Sequence, residues 1–82
     1  MSLDTRAAVD LFKRGLETLE DAPFLAWLDE HRPLDEGDAA ELHAFVNGER
    51  ARLVKLRSLG LTKGTDERLA LVERIRTALA SG

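Results

Sequence analysis

The chain has 82 residues, of which 44% are apolar and none is cysteine. That length allows one domain with a modest core, and the missing cysteine excludes disulfides, thiolate-bound zinc, iron–sulfur centres and thiol catalysis. The net charge of −3 conceals a polarity: residues 1–41 carry four basic and eleven acidic side chains, a net of −7, and residues 42–82 carry eight basic and four acidic, a net of +4.

Fifteen Leu and eleven Ala stand against four Val, one Ile and no Tyr. This balance favours helix over sheet, because Leu and Ala lose little freedom in a helix while β-branched residues crowd the preceding turn. No apolar run approaches the ~20 residues that span a bilayer. Met1-Ser2-Leu3-Asp4 has neither the basic nor the apolar segment of a signal peptide. The expectation is a single cytoplasmic helical domain over residues 1–82, with no membrane partner.

The first helix is predicted over residues 5–20. Ala8, Leu11, Phe12, Leu16 and Leu19 fall on one face at helical spacing, with Asp4 as N-cap. Gly15 lies on that face, where a missing side chain allows another helix to come close. Pro23 disfavours helix in the residue before it and suits the first turn of a second, short helix over residues 23–31. There Phe24, Trp27, Leu28 and His31 share a face. Phe24 and Trp27 read first as core, and second as an exposed aromatic docking patch.

The third helix opens at Asp35, with Asp35, Glu36 and Asp38 at the positive end of its dipole and Leu34 placed to pack on Ala39. Asn47-Gly48 is a dipeptide common in turns, so the chain either breaks there or runs on as one helix to Leu59. The apolar phase favours continuity: from Leu53, the residues Leu42, Val46 and Leu56 lie within about 60° and Phe45 within about 80°. One helix over residues 36–59 would span ~36 Å and end with Gly60 left-handed and Leu61 packing back. On its far side lie Ala40, Ala44, Gly48 and Ala51, which read first as an exposed face rich in a good helix former and second as a small-residue face that admits a close helix–helix contact. The fourth helix, over residues 65–80, starts at Thr65 as N-cap and presents Leu69, Val72, Ile75 and Leu79. The short link between them makes the third and fourth helices an antiparallel hairpin.

The expected fold is therefore all-α: a small bundle of four helices with a long third. Few residues suggest chemistry. His31 and His43 lie near Glu30, Asp35, Asp38 and Glu41, but without ligand spacing, so no metal or cofactor is expected. Residues 60–65 hold a Gly-Leu-Thr-Lys-Gly-Thr stretch without the strand of a phosphate loop, and Ser2, Ser58 and Ser81 lack a nucleophile motif.

Three functional readings remain. The first is a non-enzymatic interaction module, an adaptor, chaperone-like or regulatory subunit, self-associating because the long helix outruns its partners. The second is a helix-turn-helix DNA binder over residues 40–57. Ala44, Gly48 and Val54 fit its packing positions, and Arg50, Arg52, Lys55 and Arg57 would meet DNA. Glu49 and Arg57 stand where that motif needs apolar residues. The third is a small anion-binding helical enzyme with Glu49, Arg50 and Arg57 lining one pocket.

Overall fold

The computed structural model describes residues 5–61 and 63–80. These form α1 (Thr5–Thr18), α2 (Ala22–His31), α3 (Glu36–Ser58) and α4 (Thr65–Ala80). The expected N-cap Asp4 lies outside the described residues. Each helix packs on two neighbours, in the cyclic order α1, α2, α4, α3, and the α3–α4 hairpin is the most extensive contact. The result is an all-α bundle extended along one axis, 43 × 21 × 20 Å, its length set by α3.

The buried residues recur at helical spacing because each helix has one apolar stripe to hide. Ala8, Phe12 and Leu16 come from α1, Phe24, Trp27 and Leu28 from α2, Leu42, Val46 and Leu53 from α3, and Leu71, Val72, Ile75 and Leu79 from α4. Phe12 sits where three helices meet. Its ring meets Phe24 edge-on at 6.1 Å and Phe45 at 5.8 Å, a geometry that places a ring's positive edge against its neighbour's negative face.

Helix α3 is unbroken through Asn47-Gly48. A turn there would have shifted Leu53 and Leu56 out of phase with Leu42 and Val46. Asp35 caps the helix, its Oδ1 accepting from the Asp38 amide at 2.7 Å, a contact worth about 1 kcal/mol. Leu34 and Ala39 line one small cleft beside Leu28 and Leu79 at the entry to α3.

At its C-terminus, Gly60 is left-handed at φ 86°. The Gly60 amide donates to the Arg57 carbonyl and the Leu61 amide to that of Leu56, both at 3.0 Å, the two bonds of a Schellman turn. The hydrophobic half of that motif is missing: Leu61 is 58% exposed rather than packed back. Thr65 also departs from expectation. It is buried, and its hydroxyl donates to the Leu61 carbonyl at 2.6 Å, tying the link between α3 and α4.

Helix α1 ends sooner than the periodicity implied. Leu19 is left-handed at φ 60°, and the Glu20 amide donates to the Gly15 carbonyl at 3.1 Å. The chain thus folds back over Gly15, and that return, not another helix, is what needs the missing side chain. A Cβ on Gly15 would lie 2.5 Å from the Glu20 carbonyl oxygen. Leucine costs roughly 1–2 kcal/mol in this conformation, so the turn is held by what it closes.

Two helix ends are completed from elsewhere in the chain. The Arg68 Nε donates to the Leu16 carbonyl at 3.1 Å, and Arg32 donates to the Ala78 carbonyl at 2.7 Å. Neither α1 nor α4 has a basic residue in its own last turn. Remote guanidinium groups therefore meet the carbonyls and the negative dipole ends that α1 and α4 leave open.

The same substitution at two glycines is expected to have opposite signs. Gly15→Ala should destabilise the fold by about 2 kcal/mol, because backbone must move to admit the methyl group. Gly48→Ala should stabilise it by about 1 kcal/mol, since that Cβ meets nothing within 4 Å and alanine is the better helix former. Urea unfolding of the two variants checks both signs.

Candidate interaction surfaces

The predicted site residues separate into distinct environments. Phe24 and Trp27 are core residues: Phe24 is buried, and Trp27 lies under His31, the two rings stacked at 4.3 Å and 22°. His31 Nδ1 is 2.7 Å from the Trp27 carbonyl oxygen. A carbonyl can only accept, so Nδ1 carries the proton. This corrects the docking-patch reading, because the ring faces are covered by the chain itself.

Arg50, Arg52, Lys55 and Arg57 do not form one basic patch. Arg50 binds Glu73 across the hairpin, and Arg57 binds Asp66 at 3.2 Å. Arg52 turns to the opposite flank and binds Glu49 at 2.9 Å. Lys55 is exposed. Continuous helix spreads these four cations around its circumference, so the turn and flat recognition face of a helix-turn-helix are both missing. The pocket expected of Glu49, Arg50 and Arg57 is not formed either. Glu49 lines a cleft toward α1, whereas Arg50 and Arg57 reach α4.

Among the described residues, most of the ion pairs join side chains of the same half of the chain. Glu49, Asp66 and Glu73 pair with cations of their own half, Glu73 with both Arg50 and Arg76. Arg74 crosses over to Asp21 at 2.9 Å, and Thr5 donates to Glu41 at 3.0 Å. His43 is half-buried. Among the described residues, no group of three or more His, Asp or Glu side chains is gathered as a metal site, and no helix is long and apolar enough to cross a membrane.

Two surfaces stand out. One is the outer side of α3, where Ala40, Ala44, Gly48 and Ala51 are all exposed. The other is an open cleft of about 380 Å³ between α1, α3 and the start of α4, floored by Leu16, Leu53 and Leu56. Its rim carries Lys13, Arg52 and Arg68 with Glu17 and Glu49. The sequence reading missed this cleft, since its residues come from three helices. The pairing of Leu16 with Leu53 has no local signal.

No protein-family model, curated protein or solved structure matches the chain.

The Arg50 hydrogen bond, against a cost of desolvation and with help from Arg76, holds the Glu73 carboxyl below its ordinary value of 4.5. A depressed folded-state value favours the charged form in the folded protein. Its contribution is present above the unfolded value and lost as pH falls through the folded one. The group is solvent-screened and the effect small. Glu73→Gln is expected to lower the melting temperature at pH 7 by about 2–4 °C. The gap between variant and wild type should narrow as the pH is taken below 4.5, as thermal melts followed by circular dichroism can show.

Proposed function

We propose that the chain is a non-enzymatic protein-interaction module of the cytoplasm, a small adaptor, chaperone-like or regulatory subunit, and that it self-associates through the outer face of α3. The observation that carries this reading is the double-sided character of that helix. Leu42, Val46 and Leu53 are buried within the bundle, while the opposite side is lined with small, exposed residues along most of its length.

The spacing of that outer side supports a helical partner. Gly37, Ala40, Ala44, Asn47, Ala51, Val54 and Ser58 recur at alternating intervals of three and four residues, the repeat by which one helix follows another. Residues this small let helix axes approach closely. Gly48 lies between Glu41 and Lys55, seven residues from each. Two copies crossing antiparallel near Gly48 would set Glu41 of one copy opposite Lys55 of the other. A two-fold contact of this kind repeats each favourable pair twice.

Sedimentation equilibrium at high micromolar concentration is expected to give a dimer mass. Ala44→Glu should return it to monomer, with helicity retained. Gly48→Ala should weaken association even as it stabilises the fold, because the added methyl group holds the helices apart. A monomer mass for the wild-type chain would overturn self-association.

A further inference from the structure

The cleft between α1, α3 and α4 continues into a second. The neighbouring hollow, about 420 Å³, shares Leu56, Thr65 and Arg68 with the first and adds Leu61 and Lys63. Together they make one open groove. Its floor is leucine: Leu16 and Leu53 are buried beneath it, Leu56 is half-exposed, and Leu61 stands largely in solvent at the far end. An exposed leucine that completes an apolar floor is what an amphipathic chain segment covers.

The rim sets the chemistry of the occupant. Cations occur along its whole length, with Lys13 on α1, Arg52 on α3, Arg68 on α4 and Lys63 in the hairpin link. Against these four stand Glu17 and Glu49, and Glu49 is already held by Arg52. Arg68 and Lys13 have no carboxylate partner among the described residues. Lys13 lies 5.8 Å above the Phe45 ring. The Arg68 Nε is fixed on the Leu16 carbonyl, which orders the guanidinium while using one of its five donors.

We infer that this groove binds a short amphipathic segment of a partner protein, with two or three leucine-like side chains on the floor and carboxylates against Lys13, Arg68 and Lys63. Nucleic acid would leave the leucine floor uncovered, so protein is the better fit. The inference rests on the interaction-module reading but not on self-association, since the outer face of α3 is a separate surface.

The test is selection of a randomised twelve-residue phage-display library on the full chain at 50 mM salt. Selected peptides are expected to be rich in Asp and Glu beside Leu, Ile or Phe, and their binding to weaken with salt. Arg68 also caps α1, so the groove is best challenged through the exposed Lys13→Glu and Lys63→Glu changes. The double variant should keep its helicity and lose at least tenfold in affinity for a selected peptide, while Ala44→Glu binds that peptide as wild type does. The proposal is overturned if no acidic-apolar consensus emerges, or if the double variant binds the peptide unchanged. It is also overturned if the double reversal abolishes dimerisation instead, which would assign the groove to a second copy, or if duplex DNA binds with the same sensitivity to the two reversals.

Discussion

The continuity of α3 is the constraint on which the rest of the molecule hangs. A single helix of 23 residues keeps Leu42, Val46 and Leu53 on one line, and the other helices assemble against that line. Each is shorter than the spine. Helix α4 returns along it as a hairpin, while α1 covers part of it and then turns away at Leu19. The groove between α1, α3 and α4 follows from this difference in length. The outer face has a related origin: a helix buried on one side, in a bundle only two helices wide, shows its other side to solvent.

The ends of the shorter helices show how so small a domain closes itself. A helix terminus leaves carbonyls without partners, and a core of this size cannot hide them all. Arg68 and Arg32 reach across the bundle to the ends of α1 and α4. Each ties together segments 46 or more residues apart while meeting a local need of the backbone. Arg68 is therefore a structural residue and a wall of the groove at once, and its position beside the leucine floor is set by the cap it makes.

Much of the fold was legible because helix periodicity is a local property. The boundaries of α2, α3 and α4 and the burial of Phe12, Phe24, Val72 and Ile75 follow from apolar spacing and from Pro23, Asp35 and Gly60. The end of α1 was less legible. Leu19 continues the apolar stripe, so periodicity extends the helix, whereas the chain adopts a left-handed turn at that residue. A glycine there would have announced the turn. The leucine hides it, and the pressure on Gly15 comes from the returning chain and not from a packed helix. Leu61 is the opposite case: Gly60 signals the turn, but the packing expected of Leu61 is absent and its side chain is exposed.

The candidate surfaces divide along the same line. The sequence by itself determined a cysteine-free, all-helical domain with a continuous third helix, a small-residue face and a charge polarity of −7 against +4. These depend on composition and on residues a few positions apart. The tertiary structure alone decided which charges neutralise one another, and it set Arg50 and Arg57 against the carboxylates of α4 instead of in a shared pocket. It alone also brought Leu16, Leu53 and Leu61 to one groove beneath Lys13, Arg68 and Lys63. The reason is geometric: a helix specifies the direction of each side chain about its own axis, but the neighbour that side chain meets depends on how far the adjoining helices run and where they turn.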